Sequence, residues 1–175
     1  MRNRFCAFVL LLTTALPLWA ADSHHIELIL FRQGDMQAHP VSQLAPDNWA
    51  ANSQHLQPHQ LRSSLLEDPV SRLVPDNGYS ILLHRVWQQD GSDQPARIAL
   101  SSGDNIFGHH PVEGVLTLQQ ERSNRIQLDF WINRFKADGN LDSSERLLQS
   151  ATVPFNELTY IDYGDLGALI RIQPQ

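Results

Sequence analysis

Cysteine is nearly absent from this sequence, since Cys6 is the single one in 175 residues. It lies in an N-terminal segment where two arginines precede an apolar run, residues 5–18, a pattern typical of a secretory signal peptide. Cleavage is expected near Ala20 or Ala21, after which the remaining chain has no cysteine. Such a chain can form neither a disulfide nor a lipid-modified cysteine, so its stability must come from burial alone.

A long hydrophobic run is also lacking. The apolar run has about 14 residues, fewer than the roughly 20 that a membrane-spanning helix needs, and no later stretch is longer. We therefore expect a signal peptide over 1–21 and a single exported domain over 22–175, with no membrane span. A chain of roughly 150 residues is a typical domain and can bury a substantial core.

Basic side chains are scarce. The sequence has 13 lysines and arginines against 19 aspartates and glutamates. Removal of Arg2 and Arg4 with the signal peptide leaves 11 against 19, a net charge of −8. Because binding to phosphate groups requires a basic face, nucleic acids and anionic lipid surfaces are disfavoured as partners.

Patterns for catalysis and metal binding are lacking as well. There is no Gly-x-Ser-x-Gly motif, and the scattered carboxylates form no recognisable acid–base pair. Two adjacent histidine pairs, 24–25 and 109–110, would point to opposite faces of a strand, so we expect exposed loop histidines rather than zinc ligands. Residues 138–149 match a calcium loop at three positions, but the misplaced glycine favours a plain hairpin. We expect no enzymatic activity, no metal and no cofactor.

The N-terminal third predicts one strand, a long loop and little helix. HHIELILF, residues 24–31, is apolar on both faces, which indicates a central strand. Residues 33–58 are polar and proline-containing and predict a long loop, with Trp49 as its only large anchor. Apolar spacing predicts a short helix over about 59–67, with a further turn after Pro69.

From Tyr79 onward the sequence predicts successive antiparallel strands. YSILLHRVWQQ and ARIALSS are followed by a hairpin of VEGVLTLQQ and RIQLDFWINRF, and then by SERLLQSATV. Segment 154–165 is expected to be a turn or short helix before a last strand, 166–172. The predicted fold is α+β, a single domain of mainly antiparallel sheet with one or two short helices near the N-terminal third.

Aromatic and arginine side chains on these strands are the candidate ligand contacts. Alternation directs Trp131 to the polar face of its strand, where the ring is either exposed or covered by the 33–58 loop. Trp87 shares a face with Arg85 and is either a core residue or a second ligand-facing ring. Aromatic rings offer flat faces to sugars, and arginine forks match carboxylates. The candidate ligand-binding residues are Arg85, Trp87, Arg122, Arg125, Trp131, Tyr160, Asp162 and Tyr163.

The last three candidates lie in ELTYIDYGDLGALIRI, residues 157–172, just before the final apolar run. Aspartate and glycine are turn formers, and an aspartate can accept backbone N–H bonds that hold a turn. The cluster therefore either shapes a turn or forms a surface that contacts a ligand.

Four strings, IELILFRQ, GYSILLHRVWQQ, GVLTLQQERSNRIQLDF and ELTYIDYGDLGALIRI, resemble the CsiV family in order and spacing. The resemblance spans residues 25–174. CsiV proteins are exported, peptidoglycan-binding and implicated in cell-shape integrity, so the resemblance implies a periplasmic, non-enzymatic protein that binds peptidoglycan. It also implies partnership with an outer-membrane lipoprotein activator and the class A penicillin-binding protein that it serves.

The chain departs from the family pattern in two places. The family's hairpin turn usually has Arg-Tyr-Leu-His, where this sequence has RSNR at 122–125. Near the C-terminus the family usually has Glu-x-His-Tyr-x-Asp-His-Pro before a glycine-containing strand. The positions that fit are Glu157, Tyr160, Asp162 and Gly167, and those that differ are Thr159, Tyr163 and Gly164.

The alternative hypothesis for the function is a protein-only adaptor, which binds other proteins in cell-envelope assembly without binding glycan directly. Such an adaptor would present an exposed apolar patch or an open sheet edge rather than a polar groove. A peptidoglycan-binding protein with a charge of −8 would instead need a local patch of arginine and aromatic side chains, because stem-peptide carboxylates are repelled at long range.

Overall fold

The computed structural model describes residues 23–34, 44–92, 94–120 and 123–175. The expected signal peptide, most of the first half of the 33–58 loop and Arg122 lie outside these residues. The described residues form nine strands and one α-helix. Their bounds are β1 Ser23–Gln33, β2 Gln54–His55, α1 Glu67–Arg72, β3 Tyr79–Asp90, β4 Ala96–Ser102, β5 Val112–Gln120, β6 Asn124–Phe135, β7 Leu141–Val153, β8 Leu158–Tyr163 and β9 Leu166–Pro174.

The strands form two sheets that share one core. The four-stranded sheet has the order β3-β1-β9-β8, and the five-stranded sheet has the order β2-β4-β5-β6-β7. Every pairing is antiparallel except that of β2 with β4. Inward side chains of both sheets pack in a single cluster, which includes Ile26, Trp87, Leu116, Phe130 and Ile170. The prediction of a mainly antiparallel α+β fold is confirmed.

The central position predicted for the first strand is confirmed. β1 lies between β3 and β9, so both of its faces are covered. Ile26, Leu28 and Leu30 enter the shared core, whereas Ile29 and Phe31 face the other side. A strand that is covered on both faces must be apolar on both, which is the pattern that the sequence carries.

The predicted helix over 59–67 is wrong in position. That segment contains a 3₁₀ turn at Pro58–Gln60 and then extended backbone, and α1 begins only at Glu67. Pro69 lies in the first turn of α1 rather than ending a helix. Because N–H groups of a first turn have no partner within the helix, proline is tolerated there.

α1 covers part of the outer face of the four-stranded sheet. Leu66 and Leu73, at its two ends, pack on Ile29 and Phe31 of β1. Phe31 also lies against Gly167 of β9, where an added Cβ would come within 2.5 Å of the Phe31 ring. The glycine of the final strand therefore makes room for an aromatic ring on this outer face.

The middle of segment 154–165 is a strand, β8, and turns lie only at its two ends, whereas a turn or short helix was expected over the whole segment. β8 pairs antiparallel with β9 and contains Tyr160, Asp162 and Tyr163. The turn consists of Gly164 and Asp165, and Gly164 has a φ of +67°. Alternation of the strand sends Ile161 into the core and leaves Tyr160 outside.

A buried arginine joins the two sheets at this turn. The Arg32 side chain of β1 pairs with Glu145 of β7 at 2.6 Å and with Asp165. Arg32 is almost fully buried, so its charge requires both carboxylates.

The segment that partly matches a calcium loop is a hairpin. Residues 137–140 lie in the connection between β6 and β7, which confirms the hairpin interpretation.

Candidate functional site

Arg85 and Trp87 belong to the interior rather than to a ligand surface. Trp87 is fully buried in the shared core. Arg85 donates to the backbone oxygen of Ser101 at 2.6 Å and to that of His84 at 2.8 Å. Because Ser101 is on β4, the half-buried guanidinium joins β3 of one sheet to β4 of the other.

Trp131 lies on the outer face of the five-stranded sheet, as alternation predicted, but its side chain is only 5% exposed. The guanidinium of Arg146 lies 4.9 Å from the centre of the ring. Arg146 is held there by a two-pronged pair with Asp129, at 2.7 and 2.9 Å. The ring is therefore not offered to a ligand, and its exposure as a flat sugar platform is not supported.

Next to Trp131, a buried carboxylate on the same outer face holds nearby segments by hydrogen bonds. Glu113 of β5 is fully buried and accepts from the backbone N–H of His110 and the side-chain amide of Asn133, both at 2.7 Å. His109 Nδ1 lies 2.6 Å from the same carboxylate. Asn133 in turn accepts from Ser144, whose hydroxyl oxygen accepts the backbone N–H of residue 45 at 3.0 Å. We call these side chains the Glu113 network.

The Glu113 network corrects the expectation of exposed loop histidines. His109 is buried, and its Nε2 lies 3.4 Å from the exposed carboxylate of Asp47. Burial alone would lower the pKa of His109, but the hydrogen bond and charge of Glu113, with a further contribution from Asp47, raise it above the ordinary value. His24 is also buried and stacks on Phe155 at 5.3 Å.

At the opposite end of the same face, an open polar cleft of about 490 Å³ lies beside Arg125. The Arg125 side chain is exposed and makes no hydrogen bond or ion pair with the described residues. A second exposed arginine, Arg97, lies 3.4 Å from the Thr117 hydroxyl at the cleft. We call this the Arg125 cleft; its lining residues are Thr117, Gln119, Arg125, Ile126, Gln127, Ser150, Ala151 and Thr152.

The tyrosine and aspartate candidates form a separate surface on the four-stranded sheet. Tyr160 is half exposed, stacks on Phe31 at 6.2 Å and donates to Asp162 at 2.9 Å. Partial burial, followed by that carboxylate, raises the pKa of Tyr160. Leu158 and Tyr163 are also exposed. We call Leu158, Tyr160 and Tyr163 the β8 edge, because β8 is the last strand of its sheet.

An apolar groove of about 390 Å³ lies next to the β8 edge. Pro69 of α1 and Leu73, which follows the helix, line one side, and Tyr79 and Leu158 line the other. The candidates among the described residues are thus divided among the interior, the covered outer face at Trp131, the Arg125 cleft, and the β8 edge with the adjacent Asp162. The structure does not bring them together in one site.

Neither a metal centre nor a helical span occurs in the part of the chain that the structure describes. No three histidine, cysteine, aspartate or glutamate side chains there come together as metal ligands. No helix there is long and apolar enough to cross a membrane.

A two-sheet β protein with a polar cleft on one outer face and an apolar groove on the other has surfaces suited to binding. The sequence profile described as "Peptidoglycan-binding protein, CsiV" matches residues 36–175. The chain therefore belongs to the CsiV family of peptidoglycan-binding proteins. Comparison with curated proteins and with solved structures gives no significant match.

Sequence reasoning missed most of the Arg125 cleft. Its hydroxyl and amide side chains alternate with core residues along β5, β6 and β7. Each strand taken alone therefore shows only that its outer side is polar. Which of them are neighbours depends on register, such as the pairing of Gln127 with both Thr117 and Ser150. A one-residue change in register would place different side chains around Arg125.

Proposed function

We propose that the protein is exported to the periplasm and binds peptidoglycan without catalysis, through the Arg125 cleft. The family match over residues 36–175 carries the proposal that the ligand is peptidoglycan. The cleft is proposed as the site because its side chains have the chemistry that this ligand requires. Peptidoglycan combines hydroxyl and acetamido groups on its sugars with carboxylates on its stem peptides.

The cleft complements both kinds of group. Gln119 and Gln127 carry amides and Ser150 a hydroxyl, which can donate to and accept from sugar substituents. Arg125 can form two parallel hydrogen bonds to one carboxylate. Since its guanidinium has no partner among the described residues, binding a carboxylate would break no existing ion pair.

The net charge makes the position of this arginine important. A mature chain with a charge of −8 repels stem-peptide carboxylates at long range. Two exposed arginines, Arg97 and Arg125, lie on one outer face and make a locally positive region that can attract a carboxylate. We therefore expect retention on sacculi to depend on these two side chains more than on total charge.

A pull-down with insoluble sacculi tests the proposal. Wild-type protein should sediment with sacculi, and Arg125→Ala should be retained several-fold less because a charge-assisted pair is lost. Arg72→Ala, which removes an exposed arginine from α1, is the matched control and should behave as wild type. Wild-type protein that stays in the supernatant would refute direct binding, and full retention of Arg125→Ala would refute the cleft as the site.

The β8 edge supports a second function, as a docking surface for a protein partner. Leu158, Tyr160 and Tyr163 are exposed on an edge strand, beside an apolar groove. Such edges can pair with an extended segment of another chain. The groove is lined by one acidic and one basic side chain, Asp68 and Arg72, so its apolar walls rather than its charge favour a partner segment with apolar side chains.

We propose that this partner is an outer-membrane lipoprotein activator of a class A penicillin-binding protein. Crosslinking in intact cells, followed by co-purification, should recover the activator with wild-type protein and not with Leu158→Asp. Recovery of the activator by both proteins would refute the β8 edge as the docking surface. A protein that recovers the activator but is not retained on sacculi would be the protein-only adaptor.

Export by a cleaved signal peptide is part of the proposal. Mature protein should begin near Ala21 or Asp22 and should be unlipidated, because no cysteine follows the cleavage position. Mass spectrometry of the periplasmic protein measures this directly. An acylated N-terminus, or a mass that includes residues 1–20, would contradict it.

A further inference from the structure

Phe107 is the most exposed of the large hydrophobic side chains in the described residues, at 80%. It lies at the tip of a tight hairpin between β4 and β5. The backbone N–H of Ile106 donates to the oxygen of His109 at 2.7 Å, and the reverse bond is 3.1 Å. Phe107 and Gly108 are thus the two central residues of a two-residue turn.

The backbone at Phe107 is unfavourable for its side chain. Phe107 has a φ of +51° and Gly108 a φ of +97°, so both central residues have positive φ. Turns of this kind prefer asparagine followed by glycine, because a bulky side chain is disfavoured at positive φ. A phenylalanine at this position lowers stability locally and gains little burial in return, a combination that points to a functional role.

A second turn holds the ring in place. At Gly139, in the connection between β6 and β7, an added Cβ would lie 2.8 Å from Phe107 Cε2 and 3.3 Å from Ile106 Cγ2. Gly139 itself has a φ of +85°. The Phe107 ring therefore rests against a residue without a side chain, and most of its surface remains open to solvent.

The two turns that meet at this ring carry polar side chains. Asn105 accepts the backbone N–H of Gly108 at 3.1 Å, and Asp138 and Asn140, on either side of Gly139, are joined by a hydrogen bond of 2.9 Å from the Asn140 side chain to the Asp138 carboxylate. These turns differ from the β8 edge, where exposed apolar side chains adjoin an apolar groove. Aromatic faces with nearby hydrogen-bonding groups suit sugar rings, which have an apolar face and polar substituents.

We propose that Phe107 is a stacking platform for a sugar ring of the glycan strand, with Asn105, Asp138 and Asn140 near enough in the fold to bind its polar substituents. The inference rests on the proposed binding of peptidoglycan and adds the sugar-binding position. The platform and the Arg125 cleft lie toward opposite ends of the five-stranded sheet, since Gly139 follows β6 and Arg125 is near its start. The glycan strand would then be contacted at a second position in addition to the Arg125 cleft, which binds the stem-peptide carboxylate.

The test uses Phe107→Asn and Phe107→Trp in the full mature protein. Asparagine suits positive φ, so Phe107→Asn should melt at the same or a higher temperature while losing roughly fivefold in retention on sacculi. Phe107→Trp keeps an aromatic face and should retain binding. Leu61→Asn removes an exposed apolar side chain beside β3 of the other sheet, outside the β8 edge, and is the control, with retention as in wild type.

Two soluble probes identify the ligand class. A tetramer of N-acetylglucosamine should shift the NMR signals of residues 105–108 and 138–140 in wild type and not in Phe107→Asn. Binding of anionic phospholipid vesicles that depends on Phe107, without these shifts, would overturn the sugar platform. Wild-type retention on sacculi with equal retention of Phe107→Asn would also overturn the platform alone, whereas loss of wild-type retention would overturn the proposed function.

Discussion

The outer faces of the two sheets are alike in one feature, a buried glutamate that holds connecting segments, and differ in the surface that remains exposed. On each face one fully buried glutamate accepts two hydrogen bonds and lies 2.6 Å from a histidine nitrogen, which is its third partner. Glu27 holds residues 64 and 65 onto the four-stranded sheet through the Ser64 hydroxyl and the Leu65 N–H, and its histidine is His84. Glu113 holds the 109–110 turn onto the five-stranded sheet.

The exposed surface next to Glu27 differs from the one next to Glu113. On the four-stranded sheet, α1 and the adjoining leucines cover apolar side chains of β1, and an apolar groove remains. On the five-stranded sheet, the face beyond Trp131 remains open and polar as far as the Arg125 cleft. A buried carboxylate thus fixes the connecting segments on both faces, while the neighbouring strand residues decide whether the remaining surface is apolar or polar.

The largest expected loss of stability follows from removing the Trp131 ring on the outer face of the five-stranded sheet. Trp131→Ala should lower the free energy of unfolding by about 3–5 kcal/mol, because a buried aromatic ring and its stack with Arg146 are lost. Thermal and urea melts measure this loss. Leu148→Ala, an exposed neighbour on the same face, is the control and should change stability little. An unchanged melt with lost retention on sacculi would instead make Trp131 a ligand contact.

Replacing the two buried glutamates compares the two faces directly. Glu113→Gln should lower the free energy of unfolding by about 2–3 kcal/mol and Glu27→Gln by about 1–2 kcal/mol, since bonds to a charged acceptor are weakened in both. The Glu113 variant should lose more because the His109 side chain is 9% exposed, whereas that of His84 is 27% exposed and can gain hydration. Equal losses in urea melts would show that exposure of the histidine does not matter.

The raised pKa of His109 predicts that the stabilisation by the Glu113 network depends on pH. Its protonated form is favoured in the folded state, so its stabilisation is fully present below about pH 6.5, the unfolded pKa. It is lost as the pH rises through the raised folded pKa. The advantage of wild type over His109→Gln, from urea melts, should therefore be larger at about pH 6 than at about pH 9. A difference that is independent of pH would contradict the ion pair with Glu113.

The smallest stability effect is expected at the β8 edge. Tyr160→Ala should lower the free energy of unfolding by about 1 kcal/mol or less, because the ring is half exposed and loses mainly its stack on Phe31. Recovery of the crosslinked partner should fall much more than stability does. A loss comparable with that of Trp131→Ala would mean that the β8 edge is structural and would remove the contrast between the two faces.

Local patterns predicted the elements well and the surroundings of single side chains poorly. Alternation correctly placed Trp131 on the outer side of β6, yet it could not indicate that Arg146 would cover the ring. The helix was predicted too early, because leucine spacing over 61–66 is also compatible with extended backbone that packs on a sheet. Tyr160 and Asp162 were expected in a turn because turn-forming residues outweighed a short alternating strand.

The sequence by itself determined the central first strand, the mainly antiparallel α+β fold and the family, since these depend on periodicity and motifs that are local in the chain. Tertiary structure alone decided which polar side chains are buried. Asp47 and His109 are 62 residues apart and meet beside Glu113, and Arg32 is joined to Asp165 across 133 residues. Burial and pairing at such separations depend on register and on packing between sheets, which no local pattern encodes.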